Sequence, residues 1–116
     1  MRHHKQTRTL SRTRRGRSAL LRGLVLALAE KGKIITTEAK AKELRPFVER
    51  LITHAKKNSV AGRRLVSSRL GEPAREAVAA LFARAATLGG RAGGYTRIIK
   101  TGPTSAGRRE AVIEFV

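Results

Sequence analysis

Apolar residues are spaced for helices over most of the chain and for strands at three places. Leu21, Leu24, Val25 and Leu28 repeat at intervals of three and four, the signature of one buried helical face. Ser18 before them is a suitable N-cap, and Gly32 after them can take the left-handed conformation that ends a helix. Ile34-Ile35-Thr36-Thr37 is β-branched throughout and predicts a short strand, with Thr37 capping the next helix. From Glu38 to Lys57 the positions Ala41, Leu44, Val48, Leu51, Ile52 and Ala55 share a face. Pro46 inside that run predicts a kink near Leu44-Arg45 or a break into two helices.

Asn58-Ser59 can close that helix and cap a shorter one over Val60 to Leu70, stopped by Gly71. Pro73 suits the first turn of a further helix, whose stripe is Ala74, Val78, Leu81, Phe82, Ala85 and Leu88. Gly89-Gly90 ends it. Tyr95 to Lys100 has strand composition, Thr101 to Arg109 is rich in turn residues, and Glu110 to Val116 alternates with Ala111, Ile113 and Phe115 on one side. The order is helix, strand, three helices, two strands. It predicts an α+β fold in two layers, with a small mixed or antiparallel sheet packed on the helices.

Charge changes this picture at the amino terminus. No acidic residue precedes Glu30, while Arg2, Lys5, Arg8, Arg12, Arg14, Arg15, Arg17 and Arg22 all fall before it. Residues 1–17 have almost no apolar content beyond Leu10. They are expected to form an extended basic arm that orders on its partner, ahead of a single domain over residues 18–116. The whole 116-residue chain carries Lys+Arg 26 against Asp+Glu 8, a formal net charge of +18. A surplus of this size calls for a polyanion, and nucleic acid is the commonest in a cell. Aromatic residues make up only 3%, so stacking of bases on a platform of rings is not the expected main mode.

Several function classes lose support. The chain has no cysteine, which removes disulfides, thiolate catalysis and zinc fingers. It has no aspartate, so a Ser-His-Asp triad is impossible. His3, His4 and His54 are dispersed, with His54 expected as a partly buried structural residue. Glu38, Glu43 and Glu49 stand among lysines and arginines, where surface ion pairing accounts for them. The apolar stretch from Ala19 to Ala29 is too short to span a bilayer. An organelle transit peptide would share the Arg-rich start, but the apolar helix follows with no linker. A basic membrane-surface helix would carry its arginines along one face, whereas here they precede the helix.

Two further clusters are candidates for binding. In Arg91-Ala92-Gly93-Gly94-Tyr95-Thr96-Arg97 the glycines would let a phosphate backbone approach, Arg91 and Arg97 flank them, and Tyr95 offers a ring or a hydroxyl. A plain helix-to-strand connector with Tyr95 half buried is the competing reading. Arg63-Arg64 is the other cluster, although one arginine of such a pair usually covers the helix with its stem. A nucleoid DNA-packaging protein and a small ribonuclease using Glu and His remain alternatives on composition alone.

The chain also resembles the bacterial large-subunit ribosomal protein seventeen family. The resemblance runs through Met1-Arg2-His3, Arg8, Leu10, Arg12 and Arg17-x-Ala19-Leu20-x-Arg22. It is densest in Ile35-Thr36-Thr37, Lys40-Ala41-Lys42-Glu43-Leu44-Arg45, Leu51-Ile52, Ala55-Lys56, Arg63-Arg64-Leu65 and Gly93-Gly94-Tyr95-Thr96-Arg97-Ile98. Gly16 and Gly23 depart from it, standing where the family often has histidine and asparagine. The resemblance implies a non-enzymatic constituent of the large (50S) ribosomal subunit in the cytoplasm. It implies binding to 23S rRNA near the outer end of the peptide exit tunnel, beside neighbouring large-subunit proteins. It implies no cofactor, no metal, no small-molecule substrate, no membrane and no homo-oligomer. By position it implies rRNA contacts from Arg2, His3, Lys5, Arg8, Arg12, Arg17 and Arg22. The basic surroundings add Arg14, Arg15, Arg63, Arg64 and the block Arg91, Gly93, Gly94, Tyr95 and Arg97.

Overall fold

The computed structural model describes Leu10, residues 13–73 and residues 75–116. Four helices and three strands follow one another as α1 Arg14–Lys31, β1 Lys33–Thr37, α2 Glu38–Lys56, α3 Val60–Arg69, α4 Arg75–Thr87, β2 Thr96–Pro103 and β3 Arg109–Phe115. The fold is α+β, as the periodicity predicts. The sheet is antiparallel throughout, in the order β1-β3-β2.

Helix α2 is central and packs against every other element. Its whole expected face, Ala41, Leu44, Val48, Leu51, Ile52 and Ala55, is buried. These side chains meet Leu21, Val25 and Leu28 of α1, Leu81 and Ala85 of α4, and Ala111 and Ile113 of β3. Because α2 has neighbours on several sides, its buried arc is wider than one stripe. Glu43, expected on a solvated face, is therefore buried at 9% exposure. Glu49 is likewise more than a surface partner. Besides its contact with Arg45 at 3.4 Å, it accepts hydrogen bonds from the Thr96 backbone N–H at 3.2 Å and the Thr96 hydroxyl at 2.7 Å. One carboxylate thus fixes the start of β2 on α2.

Four local expectations change. Helix α1 starts at Arg14, with Thr13 as its N-cap accepting from the Gly16 N–H at 3.2 Å. Residues 14–17 are therefore helical rather than extended, and Ser18 lies inside the helix. This first turn buries no core residue, so hydrophobic periodicity has nothing to register there. Helix α2 runs unbroken through Pro46, so it does not divide into two helices; its buried face, packed on the neighbouring elements, holds together what proline weakens. Pro73 lies before α4 rather than in its first turn, and Ala74 falls outside the described residues. Strand β2 continues through Thr101 and Gly102 to Pro103, with a register shift between Lys100 and Gly102. The extra residue of this bulge carries the strand into a stretch whose composition reads as a turn.

The remaining stops lie where turn and cap chemistry puts them. Thr37 caps α2, Ser59 caps α3, and Gly32 ends α1 at φ +83°. The Gly32 N–H returns to the Leu28 carbonyl at 2.7 Å. Arg84 of α4 completes this end of α1, donating from Nε to the Ala29 carbonyl at 2.9 Å and from Nη2 to the Glu30 carbonyl at 3.2 Å. A guanidinium here also meets the negative pole of the helix. A Cβ on Gly32 would sit 3.1 Å from that guanidinium. Gly32→Ala is expected to cost about 1–2 kcal/mol, from the left-handed backbone that alanine resists. A urea melt would show it, and a midpoint equal to the parent's would contradict this account of the junction.

Candidate nucleic-acid interface

The beginning of α1 gathers charge into a shape. Arg14, Arg15, Ser18 and Arg22 line one open groove. Arg14 and Arg15 are exposed, and the first turn contains no acid. The helix dipole puts its positive pole at the same spot, which disfavours cations and favours an anion. Two like-charged side chains on a positive pole make poor helix chemistry in isolation. They make a good cradle for phosphate.

Arg22 is held in position. Its Nε donates to the Arg69 carbonyl at the end of α3, 3.1 Å away. That leaves the rest of its fork to the groove while tying α1 to the turn that follows α3. Arg17 shares the first turn and is engaged within the fold. Arg2, His3, Lys5, Arg8 and Arg12 lie outside the described residues.

The block from Arg91 to Arg97 is organised differently from what its residue types imply. Arg91, Gly93 and Gly94 are exposed on the loop between α4 and β2. A Cβ on Gly93 would meet nothing within 4 Å, and Gly94 adopts φ +62°. Backbone there is open to close approach. Tyr95, however, is only 3% exposed and belongs to the core. Its ring has no free face for a base, so of the two roles its chemistry offers, stacking is closed by burial. Arg97 is exposed but pairs across the strands with Glu114 at 2.7 Å.

Lys56 at the end of α2 holds this loop. Its ammonium donates to the Tyr95 hydroxyl at 3.2 Å and to the Arg91 carbonyl. It also lies 4.9 Å from the centre of the Tyr95 ring, within cation–π range. The Lys56 hydrogen bond, and after it one from Thr53, holds the Tyr95 phenol below the usual tyrosine range, because a cationic donor favours phenolate. Lys56→Met should raise that titration toward the ordinary value. Tyr95 is the single tyrosine of the chain, so ultraviolet absorbance against pH reads it alone. An unmoved curve would mean that Lys56 is not the controlling donor. Nothing in the linear pattern distinguishes Lys56 from the other lysines of α2; only the fold brings it to a loop 35 residues away.

The Arg63-Arg64 pair divides. Arg63 donates to the Asn58 side chain from Nε at 3.2 Å and from Nη2 at 2.7 Å, and it covers the Phe82 ring at 5.5 Å. It is occupied with its own surface. Arg64 is exposed. His54 is half buried on α2. Among the described residues, no three His, Cys, Asp or Glu side chains are grouped to hold a metal, and no helix is long and apolar enough to cross a membrane.

A family model described as ribosomal protein L17 matches residues 20–116. The chain belongs to that family. It is a structural ribosomal protein and not an enzyme. Curated relatives agree over most or all of the chain. The large ribosomal subunit protein bL17 of Gemmatimonas aurantiaca is 52% identical over 103 residues, covering 88% of this chain and 86% of the relative. That of Persephonella marina is 47% identical over 118 residues, covering 100% of this chain and 95% of the relative. That of Chloroflexus aurantiacus is 44% identical over 118 residues, covering both chains completely. The first 19 residues of this L17-family chain precede the matched segment, but the alignments that span the whole chain include them.

Proposed function

We propose that this protein builds into the large ribosomal subunit by binding 23S rRNA through its basic amino-terminal segment. That segment comprises the arm before α1 and the groove of Arg14, Arg15, Ser18 and Arg22. One observation carries the reading: cationic side chains are stacked on the positive pole of α1 with no acid in its first turn, an arrangement that a polyanion relieves. The relatives' names, each that of a large-subunit protein, support the same assembly.

The exposed backbone at Gly93 and Gly94 is the second contact, accepting close approach by a sugar–phosphate strand. Tyr95 and Lys56 position it from beneath, and Arg91 and Arg64 add charge at the surface. Phosphate contacts supply affinity, and the fixed shape of the loop supplies selectivity for folded RNA. A place near the mouth of the peptide exit tunnel, beside other large-subunit proteins, completes the proposal.

The test compares 23S rRNA fragments with bulk duplex DNA at one salt concentration, using the full chain. Clear preference for the rRNA fragments is expected. Equal affinity would favour a nucleic-acid packaging role instead. Recovery of the cellular protein only outside ribosomal particles, after purification at moderate salt, would remove the assignment.

A further inference from the structure

The sheet has two faces, and only one is covered. Ile34, Ile98 and Ile113 point inward and pack with the core. On the other side, strand register places Ile35 of β1, Val112 of β3 and Ile99 of β2 in a single row. Ile35 is 70% exposed and Ile99 is 48% exposed. Isolated apolar residues on a surface carry no message, but a contiguous row across three strands does. Leu24 and Ala27 of α1 stand beside the row, so that helix and sheet enclose an open groove with an aliphatic floor.

Charge at the groove selects the occupant. Lys31 and Lys33 line it and are exposed, while Glu114, also lining it, is already held by Arg97 at 2.7 Å. With Glu114 paired to Arg97, the two lysines leave the groove modestly positive, which suits an acidic partner. An aliphatic floor offers nothing to a base edge or a phosphate. Another copy of the same chain is opposed by the +18 charge. Neighbouring strands lie about 4.8 Å apart, so the row spans about 10 Å. That width matches one helix.

We propose that this groove docks an amphipathic helix of another protein, apolar toward Ile35, Val112 and Ile99 and carrying a carboxylate that meets Lys31 and Lys33. The helix would cover the bare side of the sheet as α2 covers the other, turning two layers into three. The inference is independent of the RNA reading and needs only the family membership.

Photo-cross-linking in isolated large subunits tests it. With p-benzoyl-phenylalanine in place of Ile35, and separately of Ile99, adducts are expected on one segment of another protein, with Asp or Glu within a turn of the cross-link. Adducts to rRNA, adducts to a second copy of this chain, or no adduct at either position would overturn the proposal. The same group in place of Arg15 reports separately on the RNA reading, where an rRNA adduct is expected. A paired variant closes the remaining escape. Ile35→Thr with Ile99→Thr keeps β-branched residues in the strands, so its melt and rRNA affinity should equal the parent's while its retention on large subunits through a salt wash falls several-fold. Unchanged retention, or a parallel loss of rRNA affinity, would sink the docking surface.

Discussion

Replacing Arg12, Arg14 and Arg15 together by alanine will weaken binding to rRNA and flatten its salt dependence by about two units on a log–log plot. Each phosphate neutralised releases condensed counterions, worth about 0.7 of a unit of slope on single strands and about 0.9 on duplex DNA. Three contacts therefore account for about two units or slightly more. The fold itself should not suffer. Arg14 and Arg15 are exposed, at the positive pole of α1, with no acid in that turn. Removing them relieves an unfavourable interaction with the helix dipole, which at the surface is about 0.3–1 kcal/mol per charge. The variant should thus melt at or above the parent's temperature while binding less tightly. Loss of affinity together with loss of stability would point to damage in the fold. An unchanged slope would mean that the three guanidinium groups do not meet phosphates.

Leu51→Ala will have the opposite profile. Leu51 is 2% exposed in the middle of α2, the helix on which every other element rests. Its removal takes apolar surface out of the core and leaves a cavity that surrounding helices cannot wholly close. Such changes cost about 2–5 kcal/mol. A domain of about this size holds only about 5–15 kcal/mol in all, so the loss is a large share. With about 4–8 °C per kcal/mol expected for a small domain, the melting temperature should drop well outside experimental scatter. RNA binding below the new melting point should keep the parent's salt slope, because no phosphate contact is touched. A melt unchanged from the parent would show that the buried face of α2 is assigned wrongly.

These two residues types mark what a linear reading can and cannot reach. The Leu51 face was legible because helical burial repeats at a fixed interval, and the whole stripe of α2 lies buried together. Thr37, Ser59 and Gly32 were legible because capping is local chemistry. The start of α1 was not, because Arg14 to Arg17 buries nothing and the competing cap, Ser18, looks equally suitable. Thr101 to Pro103 was not, because a bulge lets turn-forming residues stay in a strand. A break at Pro46 does not occur, because the core packing of the buried face of α2, which the linear pattern does not display, holds the helix together.

The candidate interface divides the same way. Concentrated charge shows in the sequence, whereas the use to which each charge is put depends on its neighbours in space. Arg63 is spent on Asn58 and Phe82, and Arg97 on Glu114. Arg22 anchors α1 to α3, and Arg84 closes the end of α1 from α4. Tyr95 lies in the core, under the control of Lys56. Most of these assignments do not follow from spacing, because they join residues far apart in the chain; Arg63 and Asn58, only five apart, are the exception. The bare isoleucine row was likewise hidden: strand composition is evident at Ile35 and Ile99, but only the register aligns them through Val112.

A density map of the intact large subunit, read at the first turn of α1, tests the central claim most directly. The account predicts rRNA phosphates within hydrogen-bonding distance of Arg14 and Arg15, with the chain before them following the RNA backbone. If the map instead shows those guanidinium groups facing only water, with no nucleic acid beside the groove, the account is wrong.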